Sequence, residues 1–269
     1  GITPIVSHPV LDSTRQGFED AFKEAGLKVE FDEQNAQGEI PTANVIANKF
    51  VTDKVDLIFS IATPTTQAVV NATSTIPVVF SAVTDPQSAG LLKENVTGSS
   101  DRVDNVGEQL DILKELNPNA KTIGILFSSS EQNSITQVEA IKKVAAEKGI
   151  EVVEQSVTSA SEITQALSNL LPKVDALYIP TDNLVVSNMP AVVERANAAK
   201  KIVIATDEGS VATGALYTKG IDFYDLGKEA GKLAIQILKD GKKPSELKYV
   251  TLKPTNLDIK KKSLEAIGL

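Results

Sequence analysis

The second half of this chain repeats the first, and that constrains its fold more than any other feature. Gly26-Leu-Lys-Val29, at the end of a helical run, matches Gly149-Ile-Glu-Val152. Lys54-Val-Asp56 opens an apolar run that ends in Ala62-Thr63-Pro64, and Lys173-Val-Asp175 opens one that ends in Pro180-Thr181-Asp182. Ile76-Pro-Val-Val-Phe-Ser-Ala-Val-Thr84-Asp85 then answers to Ile202-Val-Ile-Ala-Thr206-Asp207. Parallel α/β units resemble one another in general, but three matched elements in one order at near-equal spacing are hard to obtain by chance.

Around these matches, short β-rich runs alternate with amphipathic helical runs. Strands are expected at Ile2–Val6, Lys28–Asp32, Leu57–Ile61, Val78–Val83, Thr122–Phe127, Glu151–Ser156, Ala176–Ile179 and Ile202–Ala205. Phe18, Ala21, Phe22 and Ala25 fall at helical spacing within Ser13–Ala25, and Gly26 stops the helix. Ile135–Lys148, stopped by Gly149, and Asp225–Leu238, closed by Asp240-Gly241, follow the same design. A length of 269 residues suits two domains. The expectation is therefore an α/β protein of two Rossmann-like, doubly wound lobes joined by a hinge. The joint is placed at Leu116-Asn117-Pro118-Asn119, where a helix runs into turn-forming residues. The last residues hold too little structure for a third domain and should return to complete both lobes. One lobe is expected to be residues 1–117 with 222–245, the other 118–221 with 246–269. The strand residues Phe59, Phe80, Phe127 and Tyr178 are expected in the cores.

In open parallel sheets, ligands bind outside the carboxyl ends of the strands, near helix N-termini. Six such ends stand out: His8-Pro-Val-Leu11-Asp12, Thr63-Pro64-Thr65-Thr66, Thr84-Asp85-Pro86, Ser128–Ser134, Thr181-Asp182-Asn183 and Thr206-Asp207-Glu208. All are rich in hydroxyls, carboxylates or amides, and none contains Lys or Arg. Phosphate and dicarboxylate sites recruit Arg, whereas Arg15, Arg102 and Arg195 all lie outside these motifs. Asp85, Asp182 and Asp207 occupy related positions and call for a cationic group on the ligand. Thr65, Thr66, Asn133 and Ser134 stand at helix starts that favour an anion. The combination describes a site for a zwitterion, an α-amino acid. A competing account makes each aspartate a helix cap, and makes Asn133-Ser134 the cap of the helix that follows. His8, beside Pro9, reads as a structural or rim residue rather than a catalytic base.

Composition removes other classes. With no cysteine and a single histidine, thiolate metal sites, iron–sulfur clusters, disulfides and cysteine nucleophiles are excluded, and no metal or cofactor is expected. A net charge of −8 argues against nucleic acid as a partner. Nucleophile-elbow, dinucleotide and zinc-protease motifs are missing. Gly227-Lys-Glu-Ala-Gly231-Lys232-Leu233 falls one residue short of a phosphate loop and lies in a helical pattern. No run approaches the length of a membrane span. The chain opens at Gly1 in strand-like sequence, as expected where a targeting segment has been removed.

The motifs resemble the substrate-binding proteins of bacterial ABC importers related to the tryptophan- and tyrosine-binding lipoproteins. The resemblance covers essentially the whole chain. It is carried by Gly1-Ile-Thr-Pro-Ile-Val-Ser-His-Pro-Val-Leu-Asp12, Asp32-Glu-Gln-Asn-Ala-Gln-Gly38, Ile61-Ala-Thr-Pro-Thr-Thr-Gln-Ala68 and Phe80-Ser-Ala-Val-Thr-Asp-Pro86. Ser130-Glu-Gln-Asn-Ser134, Tyr178-Ile-Pro-Thr-Asp-Asn183 and Phe223-Tyr-Asp-Leu-Gly227 add to it. The family pattern implies a periplasmic-binding-protein fold of type I and hinge closure on the ligand. It also implies an extracytoplasmic lipid anchor on a cysteine upstream of Gly1. Carried onto this chain, it implies ligand contacts at Thr63, Pro64, Thr65, Thr66, Asp85, Asn133, Ser134, Thr181, Asp182, Asn183 and Asp207, with His8 and Leu11 from the first strand end. An aromatic amino acid as ligand comes from the resemblance alone.

The expected protein is a monomer that hands an aromatic L-amino acid to an ABC permease without chemistry. The effector domain of a transcription regulator shares the fold but needs an N-terminal helix-turn-helix. A sugar-binding protein is the nearest functional neighbour, yet sugar sites favour stacking aromatics, and aromatics make up only 4% of this chain. An enzyme with paired carboxylates, such as a racemase or hydrolase, finds no nucleophile–base pair here.

Overall fold

The computed structural model describes residues 1–102, 104–254 and 257–268. The chain divides into two compact units, Gly1–Arg102 with Ile221–Lys253, and Val103–Gly220 with Pro254–Leu269. In the first, β1 (Ile2–Pro4) leads to α1 (Pro9–Glu24), α2 (Ile40–Asp53), β2 (Ile58–Ile61), α3 (Thr63–Ala72), β3 (Val78–Ser81) and β4 (Val96–Ser100). The second contains α4 (Val106–Leu116), β5 (Thr122–Ser128), α5 (Gln132–Glu147), β6 (Glu151–Val157), α6 (Ile163–Leu170) and β7 (Ala176–Ile179). It continues through α7 (Asn183–Ser187), α8 (Met189–Ala198), β8 (Ile202–Ala205), α9 (Glu208–Thr213) and β9 (Tyr217–Thr218). The chain returns to the first unit for α10 (Phe223–Leu238) and β10 (Val250–Thr251). It ends in the second with β11 (Asp258–Ile259) and α11 (Lys261–Ile267).

The repeat in the sequence is a repeat in topology. The first sheet has the order β1-β2-β3-β4-β10, all parallel. The second has the order β11-β9-β8-β7-β5-β6, with only β11 antiparallel. Parallel strands covered by helices on both faces must be apolar on both. In β7, Leu177 and Ile179 join Leu167, Val192 and Val203 on one side, while Ala176 and Tyr178 join Ile123, Ile125 and Ile204 on the other. In the first unit Phe18 of α1 stacks on Phe59 of β2 with ring centroids 3.7 Å apart. Phe59, Phe80, Phe127 and Tyr178 are all buried.

Three expectations are corrected. No strand forms over Lys28–Asp32: the chain meets β1 only from Asp32 onward, where Ile2 donates to the Asp32 carbonyl and Gln34 and Ala36 donate to Ile2 and Pro4. The alternation there reflects Phe31 packing edge-on against Phe18 and Phe22 beside exposed neighbours. Conversely, β4 forms from Val96-Thr-Gly-Ser-Ser100, which reads as polar. Its small residues are demanded by close neighbours: a Cβ on Gly98 would stand 2.1 Å from the Phe80 carbonyl oxygen, and the Ser99 hydroxyl donates to the Leu226 carbonyl of α10 at 3.0 Å. The first passage between units falls at residues 102–103, not at Asn117-Pro118. Leu110 and Leu113 of α4 belong to the second unit's core, so that helix folds with the second unit, whereas β10 pairs with β4 and stays with the first.

The return helix α10 lies directly on α1. A Cβ at Gly227 would stand 1.8 Å from the Thr14 carbonyl oxygen, and one at Gly17 would stand 2.0 Å from that of Tyr224. Glycine at Gly227 therefore serves backbone approach between helices. We expect Gly227→Ala to lower unfolding free energy by about 3 kcal/mol through overpacking. Urea denaturation measures this, and an unchanged midpoint would contradict so close a contact.

Candidate functional site

Doubly wound sheets have one natural ligand position, the point where successive connections leave a strand in opposite directions. In the first unit, segment 32–36 lies on one side of β1 and β2 on the other, so this point faces the ends of β1 and β2. In the second unit β6 and β7 flank β5, which places the equivalent point at Ser128–Ser134 and Thr181–Asn183. Each unit thus carries its own polar strand-end cluster.

In the first unit the site is the start of α3. Its N-cap, Ala62, holds φ 82° and ψ 158°, a conformation that belongs almost entirely to glycine, and no side chain caps the helix. Thr65 turns its hydroxyl back to the Ile61 carbonyl at 2.6 Å, and Thr66 turns its own to Ala62 and to Ser60. Thr63 does neither: it is 2% exposed, and its hydroxyl has no hydrogen-bond partner. Thr63 and Thr65 also precede the first helical bond, from Thr66 N to the Ala62 carbonyl, so their amides lack helical acceptors. Together they form an unanswered donor set that favours an anion. Pro64 is buried beside them and also lines a groove of about 360 Å³ with Ile40, Asn44 and Leu91.

In the second unit two carboxylates are buried side by side. Asp182, 1% exposed, accepts from the amides of Ser128 and Val185 and, at 2.7 Å, from the Ser134 hydroxyl. Glu131, 6% exposed, takes the amides of Asn183 at 3.2 Å and Leu184 at 3.0 Å. It also takes the side-chain amides of Asn133, at 3.1 Å, and Asn183. The first amides of α7 are therefore answered by protein carboxylates and are not open to a ligand. Among the described residues neither acid has a basic partner. Burial, and then the neighbouring Glu131 charge, push the Asp182 carboxyl up to about 7. Asn133 donates to the Thr181 carbonyl at 2.8 Å and to Glu131, while its oxygen, buried with a residue exposure of 4%, has no partner.

The remaining sequence candidates fall into other roles. Asp207 caps α9 through the amide and hydroxyl of Ser210 at 2.7 and 2.6 Å. Asp85 caps a turn through the amides of Gln87 and Ser88 and lies 3.6 Å from Arg102. The expectation of strand-end aspartates without a basic neighbour is thus corrected at Asp85, because Arg102 follows β4, the strand the sequence pattern concealed. The Asp182 and Asp207 carboxylates are likewise occupied by caps. Thr181 bonds Thr206 through its hydroxyl. His8 is the buried N-cap residue of α1, and Leu11 is buried in that helix's first turn. Nothing in the sequence distinguishes Glu131 within the strand-end run that contains Asn133. Gln109 was invisible: it accepts from the Tyr178 hydroxyl through its side chain and from the Tyr217 hydroxyl through its carbonyl, far away in sequence. Among the described residues no cluster of His, Asp or Glu could hold a metal, and no helix is long and apolar enough to cross a membrane.

Two α/β units of one topology, each with a polar cluster at its switch point, define a type I periplasmic-binding-protein fold. All 269 residues match the ABC transporter substrate binding protein family, and the chain belongs to it. It is 44% identical to the tyrosine-binding protein of Clostridioides difficile (strain R20291), over 100% of this chain and 80% of that protein. It is also similar to a Streptococcus pneumoniae ABC domain solved in complex with L-Trp, at a TM-score of 0.95 and 36% identity, over 100% of this chain and 94% of that one. A ligand-free, open substrate-binding protein with adhesive properties from Clostridium difficile is similar at a TM-score of 0.73 and 44% identity, over 100% of this chain and 94% of that one. Substrate-binding proteins of ABC transporters work outside the cytoplasm.

The buried acid pair makes stability depend on pH. An unfolded Asp182 ionises near its ordinary 3.8 and the folded one near 7. Between about pH 4 and 7 the unfolded chain has lost a proton that the folded chain keeps, so this group makes stability fall as pH rises. Asp182→Asn cannot ionise. Relative to wild type, the variant should gain stability as pH rises through that window in urea titrations. Parallel curves for the two proteins would show that Asp182 titrates as an ordinary carboxyl.

Proposed function

We propose that this protein is the extracytoplasmic receptor of an ABC importer and that it binds an aromatic L-amino acid, tyrosine, phenylalanine or tryptophan, by closing its two units over the ligand. The observation that carries the reading is the complementary pair of unanswered groups at the two switch points. At the start of α3, the Thr63 hydroxyl and the leading amides form a donor set, and Asn133 supplies a bare acceptor oxygen above the Glu131–Asp182 pair. A carboxylate suits the first and an ammonium the second, which is the pair of charges on an amino acid. Thr63–Thr66 would form the wall on one unit, and Asn133, Ser134 and Thr181–Asn183 the wall on the other. Asp85, Asp182 and Asp207 shape the loops by capping, and His8 and Leu11 are buried at the start of α1.

The relatives support an aromatic side chain: one is named for tyrosine and another was solved with L-Trp. That a ligand-free relative is open supports closure about the three chain crossings. A membrane permease is the partner this reading requires, with the receptor acting as a monomer anchored through a lipidated cysteine upstream of Gly1.

Calorimetry on protein stripped by unfolding and refolding tests the reading. Tyrosine, phenylalanine or tryptophan should bind at micromolar level or tighter, on the order of −8 kcal/mol, and glucose and phosphate should not. The chain has no tryptophan, so bound tryptophan is also visible directly in fluorescence. Binding of a sugar in place of all three amino acids would refute the reading. Thr63→Ala should weaken the amino acid by about 1.5–3 kcal/mol, the worth of a hydrogen bond to a charged group. An unchanged affinity would move the carboxylate away from α3.

A further inference from the structure

Glu131 stands at the N-cap of α5, yet its side chain caps nothing there. It crosses instead to the β7–α7 loop and accepts from the two leading amides of α7. With the same carboxylate it holds the side-chain amides of Asn133 and Asn183. A carboxylate offers only acceptors, as does the carbonyl of Thr181, and the Ser134 hydroxyl, 3.4 Å from the Asn133 nitrogen, gives its proton to Asp182 and so also presents an acceptor. These oxygens must therefore meet the amide's NH₂ end. Turning the Asn133 amide over would set its oxygen against acceptors only and lose these bonds. The Asn133 oxygen is left pointing elsewhere, buried and unpartnered.

We infer that Glu131 is a positioning residue for recognition of the ligand's amine: it orients the Asn133 amide so that its oxygen, rather than its nitrogen, meets the ammonium group. The inference rests on the amino-acid reading above and concerns how this one end of the ligand is read. Glu131 itself touches no ligand. Its role is geometric, so reach should matter more than charge.

Two variants separate reach from charge. Glu131→Gln keeps the length and can keep an oxygen on Asn133 and Asn183, while its NH₂ faces the Leu184 amide, so that one bond to the α7 backbone is lost. Its tyrosine affinity should stay within about threefold of wild type. Glu131→Asp keeps the charge but withdraws the oxygens by one methylene. It should lose about tenfold or more for tyrosine, while leaving 3-(4-hydroxyphenyl)propionate, tyrosine without its amine, bound as in wild type. In an Asn133→Ala background the Glu131→Asp loss should vanish, because the residue acts through Asn133. Equal losses in Glu131→Gln and Glu131→Asp would mean that charge matters, and would overturn the inference. So would a Glu131→Asp loss shared by both ligands, or one that persists without Asn133. If Glu131→Asp does not fold, Glu131→Gln still decides, since a loss matching that of Asn133→Ala overturns the proposal. Wild-type protein that binds no aromatic amino acid would instead bring down the functional reading itself, a result visible before any variant is made.

Discussion

A helix that follows a buried strand begins with amides that nothing within the helix can satisfy, and the strand ends of this protein are organised around how those amides are answered. At α7 the answer is Glu131 with Asp182, at α9 it is Asp207, and at α10 it is Asp222. At α3 no side chain answers. Its threonines spend their hydroxyls on carbonyls behind them or, at Thr63, on nothing. The Ala62 backbone is held in a glycine-like conformation to deliver the chain into that helix, a cost of order 1–3 kcal/mol that the rest of the unit must offset. Three helix starts are thus closed by the protein's own acids, whereas α3, like α1 and α5 after their strands, begins without a side-chain cap.

The acids used for closure have a second effect. Among the described residues Glu131 and Asp182 are buried together without a basic partner, in surroundings where charge is weakly screened. Their charge is tolerated because backbone and side-chain donors converge on every oxygen. The price is visible in the raised Asp182 carboxyl. The gain is a local field that disfavours anions at this strand end, opposite in sign to the bare amides at α3. Electrostatic contrast between the two units therefore follows from capping choices and needs no lysine or arginine at either switch point.

Behind the first strand end, the fold depends on how closely α10 lies on α1. Glycines at Gly17, Gly227 and Gly231 remove the side chains that would keep the two backbones apart, and β4 contributes Gly98 and serines for the same reason. The chain that left the first unit at residue 102 is secured to it again by this contact.

How much of this could be read beforehand depends on the range of the interaction. The duplicated α/β architecture was legible because period, strand runs and helix stops are local, and both sheets are built mainly of parallel strands. The amides and hydroxyls of the strand ends were legible as polar runs after apolar ones. What such runs do was not: Thr63 and Thr65 look alike in sequence, yet one hydroxyl is bonded and the other bare. β4 was hidden because its residues are small for the sake of neighbours distant in the chain, and Lys28–Asp32 misled because an edge segment alternates without pairing. The division at residue 102 depended on which core took Leu110 and Leu113. Sequence by itself determined the class of fold, its duplication and the edge of each sheet at which polar residues gather, since those follow from patterns within one element. Only the tertiary structure decided that the aspartates cap, that Arg102 reaches Asp85, and that Glu131 accepts from the Asn133 amide. Each of these depends on which polar atoms a buried group meets when chain segments far apart in sequence come within 3 or 4 Å.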